Sequence, residues 1–170
     1  MRARHILGPL ALCAAGCADP IRSDLLQSLG EEQAGLDAGP LHRAGQPCLA
    51  CHGGEGDGQM VFSVAGTIYQ QPDGAVPLAN AIVHMADSAG DRYQSATNCA
   101  GNFFIQEKDY APVYPAWVWI EFGGVFVPMN SPIFREGSCA TCHAGEASDV
   151  SVAGVYFSEL DLDYPSAGCP

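Results

Sequence analysis

The stretch that decides the fold runs Ala79-Asn80-Ala81-Ile82-Val83-His84-Met85-Ala86. Its residues alternate in character, and successive side chains of a β-strand point to opposite faces of the sheet. Ala81, Val83 and Met85 therefore share one face, which we expect to lie in the core. His84 falls on the opposite face. The stretch predicts a strand that is covered on one side and open on the other.

Four further segments are rich in β-branched and aromatic residues, as strands are. They are residues 61–69, 92–97, 102–106 and 116–122. Turn signals separate them, such as Pro-Asp-Gly at 72–74 and Asp-Ser-Ala-Gly at 87–90. Short strands at this spacing predict an all-β domain over residues 61–127. A last strand is expected further along the chain, at residues 150–157. We expect a small antiparallel β-sandwich, transthyretin-like or immunoglobulin-like, with loop-rich segments on either side.

The same region resembles the carboxypeptidase regulatory-like domain, a small transthyretin-like sandwich. The resemblance is carried by Val64-Ala65-Gly66-Thr67-Ile68, by residues 74–83 and 87–90, and by Thr97-Asn98-Cys99-Ala100-Gly101-Asn102-Phe103. Cys99 departs from the pattern, since the family more often has a small or polar residue there. The resemblance implies a fold and no chemistry, because such sandwiches serve as scaffolds and binding modules.

Two Cys-x-x-Cys-His motifs flank the predicted sandwich. They consist of Cys48, Cys51 and His52 in the segment 48–60, and of Cys139, Cys142 and His143 in the segment 128–170. Covalent haem attachment needs two thiols that add across vinyl groups, followed directly by a histidine that reaches the iron. Both motifs meet these demands, and in this respect the chain resembles exported dihaem c-type cytochromes. We expect two c-type haems, with the motif cysteines as thioethers and the motif histidines as proximal iron ligands.

Other chemistries use the same cysteines. The four motif cysteines are enough for one structural zinc site or for two disulfides. A thioredoxin-like dithiol is a third option, but it lies at the start of a helix in a βαβ unit, and the sequence predicts no such unit. Haem attachment alone accounts for a histidine at the same place in both motifs.

The sixth ligand of each iron is less well determined by the sequence. Beyond the first 17 residues, two histidines lie outside the motifs, His42 and His84. His84 is predicted on the open face of its strand, where a haem can lie. His42 precedes the first motif so closely that we expect it to cap the other haem or to belong only to the preceding segment. Methionine is the competing ligand, and among Met60, Met85 and Met129 the loop residue Met129 is the best candidate.

Residues 1–17 are predicted to be a lipoprotein signal peptide. A basic start is followed by a short apolar run and by Ala14-Ala15-Gly16 before Cys17, the order typical of an export signal. The small residues before Cys17 resemble a bacterial lipobox, which implies cleavage there and a lipid on the Cys17 thiol. We expect an exported protein, periplasmic or on the cell surface, held at a membrane surface by that lipid. Residues 18–47 are then a flexible tether, with a short helix at 21–29.

Two cysteines, Cys99 and Cys169, remain beyond the signal peptide and outside the motifs. In an oxidising compartment two spare cysteines pair most simply. We therefore expect a disulfide that fixes the acidic C-terminal tail to the sandwich. The alternative is a pair of buried or free thiols.

The charge balance limits the class of partner. The chain has 19 acidic and seven basic residues, for a formal net charge of −12. Nucleic-acid binding needs a basic surface, and we exclude it. An acidic surface attracts a redox partner with a basic docking surface, although it also serves solubility alone.

The sequence thus predicts a one-electron carrier rather than an enzyme, because no hydrolase or metalloprotease motif is found. Two alternatives stay open. One is an extracytoplasmic binding or adhesion module whose Cys-x-x-Cys pairs are disulfides. The other is a haem sensor or peroxidase-like protein with an open iron site.

Overall fold

The computed structural model describes residues 19–32, 35–72, 74, 76–145, 147–149, 151–158, 164 and 169. The helices are α1 (Pro20–Ser28) and α2 (Leu49–His52), and a 3-10 turn spans Cys139–Thr141. The strands are β1 (Phe62–Thr67), β2 (Ile82–Asp87), β3 (Arg92–Ala96), β4 (Asn102–Gln106), β5 (Ala116–Phe122) and β6 (Val125–Pro128). The predicted signal peptide and its lipid acceptor Cys17 lie outside the described residues.

The six strands form two antiparallel sheets. β1 pairs with β4 in a two-stranded sheet, and the other sheet has the order β3-β2-β5-β6. β2 lies inside its sheet, because it pairs with β3 on one side and β5 on the other. The sequence-based prediction of a small, all-β, sandwich-like fold is confirmed.

Strand β2 has the two faces that its sequence predicts. The core residues Ala81, Val83 and Met85 are at most 1% exposed. Full burial of a side chain such as valine or methionine contributes about 1.5–3 kcal/mol, so this face stabilises the fold strongly. His84 lies on the other face, across from Trp119 on β5. The rest of the core consists of Val64, Ile68, Leu78, Phe103, Ile105, Tyr110, Ala116, Ile120 and Phe157.

Strand β1 is buried along almost its whole length, in contrast to β2. One edge of β1 pairs with β4, and the segment 137–139 pairs with the other. The Ala65 N–H donates to the carbonyl of Gly137 at 3.0 Å, and Ala65 forms a parallel bridge with Ser138. A Cβ added at Gly66 would lie 2.7 Å from the Cβ of Cys139. Glycine at this position therefore lets the second motif dock on β1.

Residues 151–158 differ from the strand predicted at 150–157. They form isolated bridges, Val152 with His143 and Tyr156 with Tyr69. The Tyr69 N–H donates to the carbonyl of Val155, and the Phe157 N–H donates to the carbonyl of Tyr69, both at 2.9 Å. The segment contacts the second motif first and the end of β1 next, so no single ladder becomes long enough for a strand. The prediction of a regular last strand was wrong.

The segment predicted as a tether has defined contacts in its described part. Helix α1 confirms the short helix expected at 21–29, and Asp19 caps it by accepting from the N–H of Ile21 at 3.0 Å. The Arg22 guanidinium donates to the carbonyl of Ala50, at the first motif. Further along, the carbonyl of Pro40 accepts from the side chain of Asn98 at 2.7 Å. The segment therefore reaches both the first motif and the sandwich.

None of the helices in the described part of the chain is long and apolar enough to cross a membrane.

The structure contains the disulfide predicted between Cys99 and Cys169. The two Cα atoms are 5.0 Å apart, and the bond closes a loop of 70 residues. That loop contains β4, β5, β6 and the second motif. The bond therefore restricts the unfolded chain over the whole region that carries Cys139 to His143.

We predict that the double variant Cys99→Ser/Cys169→Ser unfolds more easily than the natural chain. Cross-linking a loop of this length restricts the unfolded ensemble by about 4 kcal/mol. Urea denaturation followed by tryptophan fluorescence should show a loss of that order. The natural chain in reductant is the matched control and should converge on the variant. A variant as stable as the oxidised natural chain would contradict the prediction.

Candidate functional site

The first motif forms a single helical turn, α2, directly before β1. The N–H of Cys51 donates to the carbonyl of Cys48 at 3.2 Å, and the N–H of His52 donates to the same carbonyl at 2.8 Å. Residues three and four apart on a helix lie on the same side. The turn therefore places the two cysteines and the histidine on one side.

The second motif repeats this turn with nearly the same geometry. The N–H groups of Cys142 and His143 donate to the carbonyl of Cys139 at 3.2 and 2.9 Å. The sequence predicts both motifs in loop-rich segments. The structure adds that each is one helical turn within its loop, which fixes the relative positions of the cysteines and the histidine.

His52 is held by contacts that determine which ring nitrogen is available. Its Nδ1 lies 2.9 Å from the carbonyl oxygen of Met60. A carbonyl only accepts, so Nδ1 carries the proton and Nε2 keeps its lone pair. The ring stacks on Phe62 at a centroid distance of 4.4 Å, and a Cβ added at Gly58 would meet the ring. These contacts with Met60, Phe62 and Gly58 together fix the orientation of the imidazole, and with it the direction of Nε2.

His143 has the same arrangement in the second motif. Its Nδ1 lies 2.9 Å from the carbonyl oxygen of Ala153, so Nδ1 again donates and Nε2 again keeps its lone pair. Metal-binding histidines in proteins almost always donate their other ring N–H to a carbonyl, a carboxylate or a water. Both motif histidines are therefore in the tautomer and orientation of a metal ligand.

A cavity of about 650 Å³ adjoins the first motif. Cofactor sites have volumes of about 300–1,000 Å³ and are mainly apolar with a few placed polar groups. The cavity is lined by Cys48, Cys51, His52, His42, Arg43, Met60, Phe62, Asn102, Phe103 and Phe104, among others. It thus offers both motif thiols, the motif histidine and an apolar wall.

A second cavity, of about 300 Å³, adjoins the second motif. Cys139 and His143 line it together with Gly45, Thr67 and Tyr69. Burial raises the pKa of Tyr69, so its phenol stays protonated at neutral pH and can donate a hydrogen bond. The volume lies at the low end of the range for cofactor sites. A large ligand held by this motif would extend beyond the cavity.

The four motif cysteines are free thiols in the structure. Burial, and to a lesser degree the charge of Cys51, raises the pKa of Cys48. Cys139 as a residue is partly exposed, but its thiol is enclosed. Burial, with a smaller contribution from the nearby Cys48, raises the pKa of Cys139 to about 12. In the chain without a bound metal, these two thiols are therefore protonated at neutral pH.

Among the described residues, no three or more histidine, cysteine, aspartate or glutamate side chains converge as a metal site. The four motif cysteines therefore do not converge as one pooled zinc site in this part of the chain. Each motif contributes one histidine and two thiols, the residue set that covalent haem attachment uses.

His42 lies beside the first motif, not the second. Its ring centroid is 6.0 Å from that of His52, with an angle of 23° between the planes. The N–H of Gly39 donates to Nδ1 of His42 at 3.1 Å, which leaves the proton on Nε2. Iron binding through Nε2 would move that proton and release the Gly39 bond. The loss of that hydrogen bond would cost about 1 kcal/mol.

His84 is not near either motif. Its Nε2 lies 2.8 Å from a carboxylate oxygen of Glu121, and its ring stacks on Trp119 at 5.2 Å. It lies on the outer face of the four-stranded sheet, as predicted, but its accessible nitrogen is bound to Glu121. The candidacy of His84 as a sixth ligand within this chain finds no support in its position.

The three candidate methionines differ in their positions relative to the two cavities. Met129 follows β6, where its N–H donates to the carbonyl of Val118 at 2.9 Å, and it lines neither cavity. Met85 is fully buried in the core. Met60 lines the first cavity, and its backbone carbonyl accepts from Nδ1 of His52. Of the candidates named from the sequence, His42 and Met60 line this cavity, and His42 is the one whose ring lies beside that of His52.

Several site groups have no signature in the sequence. The carbonyls of Met60 and Ala153 act through backbone oxygen, which every residue possesses. Tyr69, Thr67 and Asn102 reach the cavities through pairings between distant segments. Gly66 shows in the sequence only as one glycine among 20.

Comparison with known protein families, with curated proteins and with solved structures finds no match for this chain. The resemblance to carboxypeptidase regulatory-like domains therefore stays a prediction, and the site is judged on its own geometry.

We predict different reactivities for two thiols of the same motif in chain prepared without haem. A pKa of about 12 leaves the Cys139 thiol almost entirely protonated at pH 8, whereas Cys142 is exposed. Since the thiolate is the reactive form, iodoacetamide should alkylate Cys142 at least about tenfold faster than Cys139. Peptide mass spectrometry during a time course measures both rates.

The denatured chain is the control, and there the two rates should converge. Equal rates in the folded chain would show that Cys139 is not enclosed on β1, and would contradict the described packing.

Proposed function

We propose that this chain is a dihaem c-type cytochrome that acts in one-electron transfer. The observation that carries the proposal is the shared state of the two motif histidines. His52 and His143 each donate from Nδ1 to a backbone carbonyl at 2.9 Å. The same arrangement occurs in two segments that lie far apart in the sequence, and it is the arrangement that metal-binding histidines adopt.

The thiols support the same conclusion. In each motif two thiols precede the histidine, which is the residue set that covalent haem attachment needs. These thiols are also unpaired in the structure, while Cys99 and Cys169 are joined.

The residues present fit two haems. Cys48 and Cys51 would form the thioethers of the first haem and Cys139 and Cys142 those of the second. His52 and His143 would bind the irons through Nε2. Each haem would supply an iron that cycles between ferric and ferrous states, and the chain would set its potential through axial ligands, hydrogen bonds and burial. The carbonyls of Met60 and Ala153 would increase the basicity of the two imidazoles.

The setting of the carrier is part of the proposal. We propose export through the signal peptide and attachment to a membrane surface through a lipid on Cys17, in the periplasm or at the cell surface. The excess of acidic residues, 19 against seven basic ones, favours a redox partner with a basic docking surface.

A second candidate function arises at the second motif. Of the described residues that line its cavity, Tyr69 can donate a hydrogen bond from its phenol, and neither His42 nor a methionine is among them. An iron bound there by His143 would have its sixth position available to a small ligand. This arrangement favours the haem sensor or peroxidase-like alternative for that site alone.

We predict two covalent haems per chain when the full chain is produced with cytochrome c maturation machinery. Pyridine haemochrome absorbance and intact mass should each give two. The variant Cys48→Ser/Cys51→Ser should retain one haem, and so should Cys139→Ser/Cys142→Ser, because the motifs lie on separate turns. Cys99→Ser/Cys169→Ser is the matched control and should retain both.

A colourless protein whose mass shows no haem would remove the proposal. If the motif cysteines were then found as disulfides, the adhesion or binding module would take its place.

We predict that carbon monoxide binds one of the two reduced haems. The Soret change should persist in Cys48→Ser/Cys51→Ser, which keeps only the second site, and should be absent in Cys139→Ser/Cys142→Ser. A reduced protein that binds no carbon monoxide at either site would make it a carrier with two six-coordinate irons.

A further inference from the structure

A buried pair of polar side chains joins the two strands of the smaller sheet. Thr67 at the end of β1 and Asn102 at the start of β4 are 6% and 7% exposed. The Thr67 hydroxyl donates to Oδ1 of Asn102 at 2.7 Å. Buried polar groups destabilise a fold unless they are hydrogen-bonded, so this pair is expected to have further partners.

Those partners belong to the segment that carries His42. The amide Nδ2 of Asn102 donates to the carbonyls of His42 at 3.1 Å and Pro40 at 3.3 Å. The N–H of Gly45 donates to the Thr67 hydroxyl at 2.7 Å. Three bonds thus fix residues 40–45 to the smaller sheet, on both sides of the His42 side chain.

The donor and acceptor roles in these bonds determine which residue types can occupy positions 67 and 102. The Thr67 hydroxyl accepts from Gly45 and donates to Asn102, so the Asn102 oxygen is the acceptor and its nitrogen the donor. That nitrogen then meets two carbonyls, which only accept. An aspartate at this place could take the bond from Thr67 but could donate nothing to the His42 segment.

Residues 40–45 lie between the two cavities. His42 and Asn102 line the first cavity, while Gly45 and Thr67 line the second. The Thr67–Asn102 bond therefore runs from one candidate site to the other. Any shift of residues 40–45 changes the wall of both.

The ring of His42 lies beside the ring of His52, with the centroids 6.0 Å apart and the planes at 23°. An iron bound by two imidazoles, at about 2 Å from each nitrogen, separates the ring centroids by about 6 Å. The spacing of the two rings therefore matches a shared iron, toward which each ring would turn its Nε2.

We infer that Asn102 and Thr67 are positioning residues that hold His42 as the sixth ligand of the first haem. The inference rests on the proposed function, because it assigns a ligand to a haem that the first motif would carry. Neither Asn102 nor Thr67 touches the iron. They act through the backbone of residues 40–45.

The test uses Asn102→Asp in the full chain loaded with haem. Its readout is the ferric electron paramagnetic resonance spectrum, which distinguishes a low-spin iron with two imidazoles from a high-spin iron. The natural protein should show one low-spin signal of this kind, and His42→Ala should abolish it. Asn102→Asp should abolish the same signal while both haems stay attached.

Asn98→Asp is the matched control. The Asn98 amide also donates to the carbonyl of Pro40, at 2.7 Å, but it makes no bond to the carbonyl of His42. The control should keep the low-spin signal. Thr67→Val preserves the side-chain shape, removes only the hydroxyl, and should also weaken or abolish the signal. If Asn102→Asp fails to fold, the spectrum of Thr67→Val tests the inference in its place.

Two outcomes would overturn the inference while leaving the proposed function intact. One is a natural protein with two haems whose low-spin signal survives in His42→Ala. The other is survival of the signal in both Asn102→Asp and Thr67→Val with two haems attached. A chain without haem would fail the proposed function itself, and the haem count separates that result from the other two.

Discussion

The structure depends on the burial of β1 along nearly its whole length. One edge of the strand pairs with β4, and the other pairs with the chain just before the second motif. Phe62 at its start stacks on His52, and Gly66 near its end leaves room for Cys139. A strand with one free edge could not pair with β4 and also with the chain before the second motif. Because β1 accepts a motif at each end, two segments far apart in the sequence become parts of one small domain.

Sequence patterns predicted what local chemistry determines. The alternation around Val83 gave the core face of β2, the spare cysteines gave the disulfide, and the spacing of each motif indicated which side chains act together. These local patterns could not predict where a side chain lies relative to segments that are distant in the sequence. His84 was expected on an open face, yet Glu121, 37 residues away, binds its Nε2. His42 was expected to cap the other haem or to belong only to the segment before the first motif. Its position beside His52 involves a bond to Asn102, 60 residues away.

The two sites are alike in the part that would hold a haem and different in the part that would tune its potential. Each has a helical turn, two thiols and a histidine oriented by a carbonyl. The first cavity is larger and contains His42, whereas the second is smaller and contains Tyr69. Differences in axial ligand and exposure shift haem potentials, so two irons in these sites would have unequal potentials. Unequal potentials give an electron a preferred direction within one domain.

The central claim is that both Cys-x-x-Cys-His turns carry a covalently bound haem. Tandem mass spectrometry of a protease digest of the exported protein tests it most directly. If both motifs carry haem, the digest contains two haem-bearing peptides, one with Cys48 and Cys51 and the other with Cys139 and Cys142. A disulfide-linked peptide with Cys99 and Cys169 is expected beside them. Recovery of both motif peptides without haem, as free thiols or disulfides, would contradict the claim.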